Sequence, residues 1–170
     1  MFWPEQKKFA GRRLQVKAEV VIQAEQRVML VAEDDDNDVF FIERALKQAR
    51  IDQRLQRVKD GEDAISYLRG EGKYSDREQF PLPRFLLLDL KMPRRNGFEV
   101  LQWVRQQPGL KRMPVVVFTS SREDPDVNRA YDLGANTYLV KPVKFDDLVE
   151  VVKTLDSYWL NLAVQPDITA

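Results

Sequence analysis

Two residue types are missing outright. The 170 residues include no cysteine, which excludes disulfides, thiolate metal sites and thiol nucleophiles. They include no histidine either, and that removes Ser-His-Asp triads, imidazole-ligated zinc and the side chain that titrates nearest neutrality. Charge of one sign is also not in excess: 27 Lys and Arg balance 27 Asp and Glu. Neither a basic footprint for nucleic acid nor an acidic disordered tail is expected. No apolar run approaches the roughly 20 residues that cross a bilayer, so no membrane partner is expected. What remains for chemistry is carboxylate, hydroxyl and amine, with a hard, oxygen-preferring metal ion as the natural helper.

At 170 residues the chain has the length of one ordinary domain, and its 44% hydrophobic content is enough for a packed core. Residues 1–27 read as an N-terminal extension of mixed character. Arg12-Arg13 resembles a twin-arginine export signal, but no apolar stretch or small-residue cleavage site follows, so cytoplasmic residence is expected. From Val28 onward short apolar runs alternate with amphipathic ones, the pattern of an α/β domain with a parallel sheet. Strands are expected at Val28 to Ala32, Arg54 to Val58, Phe85 to Leu88, Val115 to Phe118 and Thr137 to Val140. Helices are expected to begin near Asp36, Glu62, Gly97, Pro125 and Phe145. In the last of them Leu148, Val152, Leu155, Trp159 and Leu162 recur at steps of four and three, one side of a helix. Val151 and Tyr158 lie off that row, which leaves room for a second apolar surface, facing a partner or a second copy in a homodimer. Gly70 to Arg84, with Gly70, Gly72, Pro81 and Pro83 amid charge, reads as a surface loop. Residues 28–162 form the expected domain and 163–170 a C-terminal tail, with too little chain after Trp159 for an output domain.

In an open parallel sheet, ligands bind beyond the carboxyl ends of the strands. Glu33-Asp34-Asp35-Asp36 follows the first strand, Asp89 the third, Thr119 and Ser120 the fourth, and Lys141-Pro142 the fifth. Each has an ordinary explanation by itself, since carboxylates favour helix N-termini and Asp35 or Asp36 can be an N-cap. Their joint placement at one edge points to chemistry. Several carboxylates brought together require a cation, and Mg²⁺ suits an oxygen-only donor set. Asp89 is then the nucleophile able to form an aspartyl phosphate, with Mg²⁺ held near Glu33 and Asp34. Lys141 supplies a second positive charge and Thr119 a hydroxyl donor.

These residues resemble the receiver domains of two-component response regulators, over nearly all of Val28 to Leu162. Leu30-Val31-Ala32-Glu33-Asp34-Asp35 resembles the family's first strand and acidic pair, which implies Asp34 as a direct metal ligand and Glu33 as a ligand through water. Leu87-Leu88-Asp89-Leu90-Lys91-Met92-Pro93 and then Gly97 resemble the phosphoacceptor strand and its loop. The resemblance implies that Lys91 offers its backbone carbonyl to the metal. Val117-Phe118-Thr119-Ser120 is similar to the strand carrying the switch hydroxyl. Tyr138-Leu139-Val140-Lys141-Pro142 is similar to the strand with the aromatic switch position and the lysine, and implies a cis Lys141-Pro142 bond. The implied fold is flavodoxin-like: a doubly wound five-stranded parallel sheet in the order 2-1-3-4-5 with five helices, a three-layer α/β/α sandwich. The long loop at Gly70 to Arg84 and Tyr158-Trp159-Leu160 resemble the small single-domain regulators paired with bacterial phytochrome kinases. The implied partners are a sensor histidine kinase and a downstream protein target or phosphotransfer protein.

Other functions remain to be weighed. A metal-dependent phosphohydrolase would want a general acid two residues after Asp89, where Lys91 stands. A degenerate receiver would lack an acceptor, a metal ligand or the lysine, and this chain has all three. A nucleotide-binding protein would carry a glycine-rich or lysine-bearing phosphate loop after the first strand, where this chain is acidic. The chain is therefore expected to act on its own aspartate and not on a separate substrate.

Overall fold

The computed structural model describes residues 28–52 and 54–170, and the expected extension 1–27 lies outside them. β1 (Val28–Ala32), β2 (Arg54–Val58), β3 (Phe85–Leu88), β4 (Val115–Thr119) and β5 (Thr137–Val140) pair in parallel in the order β2-β1-β3-β4-β5. The three central strands are buried along their whole length, which is why they read as unbroken apolar runs. Among the described residues β2 and β5 are the edge strands, and both are partly exposed.

α1 (Asp36–Gln48), α2 (Gly61–Arg69), α3 (Gly97–Gln106), α4 (Asp124–Asp132) and α5 (Phe145–Leu155) alternate with the strands. Successive strand residues point to opposite faces, so the sheet builds two cores. Leu30, Ala32, Leu86 and Leu88 pack with Ala64 and Leu68 of α2 and Val100, Leu101 and Val104 of α3. Met29, Val31, Phe85 and Leu87 pack with Val39 and Ile42 of α1 and Leu148 and Val152 of α5. Three helices start on side-chain caps. Asp35 accepts from the Asn37 N–H at 2.7 Å, and Asp60 from those of Glu62 and Asp63 at 2.9 Å each. Asn96 and Glu99 close a reciprocal capping box. Each such cap contributes about 1 kcal/mol to its helix.

Two sequence expectations change. The Gly70 to Arg84 segment is not simply a surface loop. Tyr74 within the 3₁₀ turn Gly72–Tyr74 is buried, and the rings of Tyr67, Tyr74 and Phe80 meet at 5.1 to 6.0 Å. The Arg77 guanidinium donates to the carbonyls of Tyr67, Leu68 and Phe80. Of these, the Leu68 carbonyl lies in the last turn of α2, where carbonyls lack an intrahelical donor. The row along α5 also breaks. From Asp156 to Leu162 the helix winds with a π repeat, which carries more residues per turn than an α-helix. Leu160 is therefore buried, whereas Leu162, expected on the inner row, is 73% exposed. Trp159 still packs, stacking on Phe85 at 6.5 Å, and Val151 lies against the core. Tyr158 stays exposed. The C-terminal residues then return across the sheet end where the strands begin: Thr169 N–H donates to the Gly109 carbonyl at 3.1 Å and Ile168 packs against the α2–α3 core.

Candidate functional site

Strand register assembles the site. Ala32 pairs with Leu88, Leu88 with Val117, and Thr119 with Val140. The residues just beyond these pairs therefore leave the sheet on one edge. Asp89 N–H donates to the Ala32 carbonyl at 3.0 Å, Glu33 N–H to Val58 at 3.0 Å, and Lys141 N–H to Thr119 at 2.8 Å. Backbone ladders thus carry Glu33, Asp89 and Lys141 one step past the core before any side-chain contact forms.

Side chains then converge. Carboxylate oxygens of Glu33, Asp34 and Asp89 lie within 4.8 Å of one another. Glu33 and Asp89 are buried and Asp34 is exposed, so the group opens to solvent on the Asp34 side. The Lys141 ammonium is 2.7 Å from Glu33 and 3.4 Å from Asp89. Asp89 Oδ1 also accepts from the Leu90 N–H at 2.7 Å. Burial pushes the Glu33 carboxyl up to about 7, with the Lys141 hydrogen bond and charge pulling it down and the Asp89 charge pushing it further up. Lys141 is held above the ordinary lysine range. Burial alone would lower it, but its hydrogen bonds to Asp38 and Glu33 and the Asp89 charge outweigh that cost. One ammonium among so many carboxylates leaves negative charge uncompensated. Three convergent oxygen donors with a solvent-facing side fit a hard divalent cation of the Mg²⁺ type, which keeps several of its waters.

The remaining expected residues take up places around this centre. Thr119 is fully buried at the end of β4, and its Oγ1 accepts from the Ser121 N–H at 3.5 Å. Lys91 lies two residues past Asp89 with its side chain exposed. Tyr138 on β5 packs with Leu90, Phe98 and Val117, and its hydroxyl donates to the Ser121 carbonyl at 3.2 Å. The Lys141-Pro142 bond is trans, contrary to the cis form implied by resemblance, and no described peptide bond is cis. Trans is the isomer favoured in X-Pro bonds by about 0.5–1 kcal/mol. Asp35 and Asp36 do the ordinary work of a helix start. Asp35 is the N-cap, and the Arg57 guanidinium beside Asp36 holds that carboxyl below its usual range.

Reading by strand ends missed Asp38. It lies in the first turn of α1, and its Oδ2 is 2.6 Å from the Lys141 ammonium. Periodicity held the signal: Asp38, Ile42 and Ala45 stand at i, i+4 and i+7, and the latter two are buried. A carboxylate at the head of a buried helical stripe faces the sheet edge. Asp60 was missed as well. It is 2% exposed, and besides capping α2 it pairs with the Arg94 guanidinium from the loop after β3.

The geometry has counterparts among known proteins. The response regulator receiver domain, as a family, matches residues 29–153. The chain belongs to the response regulator receiver family. Among relatives of this receiver, response regulator Rcp1 of Synechocystis sp. is 39% identical over 140 residues, 82% of this chain and 93% of Rcp1. The Mn²⁺-bound form of Rcp1 matches the receiver fold with a TM-score of 0.73 at 38% identity, covering 82% of this chain and 99% of that one. Phosphorylated RcpA, a cyanobacterial phytochrome response regulator, matches with 0.76 at 34% identity, covering 84% and 99%. RPA3017, a response regulator in red light signaling of R. palustris, matches with 0.78 at 36% identity, covering 82% and 98%. The strand order and five helices of this receiver are those of the flavodoxin-like fold.

Proposed function

We propose that this receiver accepts a phosphoryl group on Asp89 from a phosphohistidine of a sensor kinase of the bacterial phytochrome type. The observation that carries the reading is the convergence of Glu33, Asp34, Asp89 and Lys141 beyond the ends of β1, β3 and β5. Likeness to RcpA, a phytochrome response regulator, supports the choice of kinase. Residues 28–162 are the functional unit in this reading.

A carboxylate oxygen of Asp89 attacks phosphorus, the O–P bond forms, and the P–N bond to the donor imidazole breaks. The electron pair of that bond leaves with the imidazole nitrogen, which later takes a proton from solvent. The residues that would hold Mg²⁺ are Asp34 and Asp89 directly, Glu33 through water and Lys91 through its carbonyl. When bound, the ion neutralises charge on the transferring phosphoryl oxygens. Lys141 meets the same charge from the β5 side, and the Thr119 hydroxyl donates to a phosphoryl oxygen. The chemistry ends on the protein's own side chain, so no separate substrate is turned over. The added charge of roughly −1.5 to −2 biases Thr119 and Tyr138, and through them the α4–β5–α5 face that a downstream protein, a phosphotransfer protein or a second copy would read.

Incubation with Mg²⁺ and acetyl phosphate is expected to add one base-labile phosphoryl group, seen by intact-mass spectrometry. Asp89→Asn abolishes it. A phosphoryl group that persists in Asp89→Asn would place the acceptor elsewhere.

A further inference from the structure

The Lys141 ammonium is closer to Asp38 than to the acceptor. Its distances are 2.6 Å to Asp38, 2.7 Å to Glu33 and 3.4 Å to Asp89. Asp38 comes from the first turn of α1, and its side chain is 37% exposed where that of Lys141 is 14% exposed. The pair also lines a hollow of about 190 Å³ together with Phe41, Phe118, Lys144 and Phe145. An ammonium has three donors, and here all three face carboxylates.

We propose that Asp38 is a positioning residue that competes with Asp89 for Lys141. In the unphosphorylated protein it draws the ammonium toward α1, keeping positive charge back from Asp89. A phosphoryl group on Asp89 outcompetes a single carboxylate, so phosphorylation transfers the lysine and leaves Asp38 without that partner on the wall of the hollow. The proposal deepens the phosphoacceptor reading and rests on it for this second step alone. The first step concerns the unphosphorylated protein and Mg²⁺.

The two steps separate experimentally. Calorimetric titration of the full unphosphorylated chain with MgCl₂ is run on the wild type, Asp38→Asn, Lys141→Ala and the double variant. Removing Asp38 lets the ammonium close on Asp89 as well as Glu33, so Mg²⁺ binds about fivefold more weakly in Asp38→Asn, a coupling ordinary for contacting charges. In the Lys141→Ala background the same change is expected to cost less than twofold, because the competitor is gone. Asp38→Glu keeps the charge and restores most of the affinity, which a purely structural role would not produce. Unchanged affinity in Asp38→Asn overturns the proposal. Equal weakening in both backgrounds also overturns it, since Asp38 would then act on the ion directly. A chain that shows the Lys141-dependent effect but takes no phosphoryl group from acetyl phosphate refutes the phosphoacceptor reading and leaves the positioning role standing.

Discussion

Glu33 is the residue whose chemistry depends most on its surroundings. It is 2% exposed, and burial raises its carboxyl to about 7 from an ordinary 4.5. A raised carboxyl pKa favours the fold where the proton is on. This contribution is complete below 4.5 and is lost as pH rises through about 7. In the proposed site Mg²⁺ takes the deprotonated form, so metal and proton compete. Mg²⁺ affinity is expected to rise about tenfold per pH unit below the Glu33 pKa and to level off above it. Calorimetry in buffers of different ionisation enthalpy would show up to one proton released per ion; a flat pH profile with no proton release means that Lys141 already keeps Glu33 ionised. Asp89 differs in that its Oδ1 has a backbone donor, the Leu90 N–H, in addition to the ammonium.

At the scale of the element, α3 matters most because it follows the loop after Asp89, the proposed acceptor. Gly97 opens it, and its N–H donates to the Leu90 carbonyl at 3.0 Å. A Cβ at Gly97 would lie 2.2 Å from the Asp89 carbonyl oxygen and 2.8 Å from Leu90 Cα, so the backbone itself must move. Gly97→Ala is expected to cost about 2 kcal/mol or more in urea unfolding, a typical overpacking penalty. It should also slow Asp89 phosphorylation, because it displaces the acceptor's own peptide. Asn96→Ala removes the cap and not the space, so about 1 kcal/mol of stability goes while most of the phosphorylation rate remains. Equal rate losses in the two variants would show that Gly97 acts through helix stability alone. The helix starts were legible beforehand to within a residue, because caps and apolar periods are local. The π winding of Asp156 to Leu162 was not: its residues carry an ordinary helical stripe, and only packing of Leu160 and Trp159 beneath the sheet selects the wider turn.

Over the whole molecule the two ends of the sheet have separate duties. The end where strands finish holds the carboxylates and Lys141. The end where they begin is covered by Trp159 on Phe85, by Ile168 and by the Thr169 contact with Gly109. Removing residues 164–170 gives up the Thr169–Gly109 backbone hydrogen bond, the hydrogen bond from the Gln165 amide to the Trp159 carbonyl and the partial burial of Ile168, worth roughly 2–4 kcal/mol together. A Tm lower by several degrees is expected, with Mg²⁺ affinity and Asp89 phosphorylation unchanged. Altered phosphorylation kinetics in that variant would mean that the two ends communicate through β3. The sequence by itself determined the strand runs, the helix starts and the delivery of Glu33, Asp89, Thr119 and Lys141 to one edge, because strand alternation and helix periodicity are short-range properties of the chain. Only the tertiary structure decided that Asp38 shares Lys141, that Arg77 and three aromatic rings turn a polar loop into core, and that Leu160 replaces Leu162 inside. Those outcomes join residues as far as 103 positions apart, and no local pattern specifies which of many available partners a charged or aromatic side chain will meet.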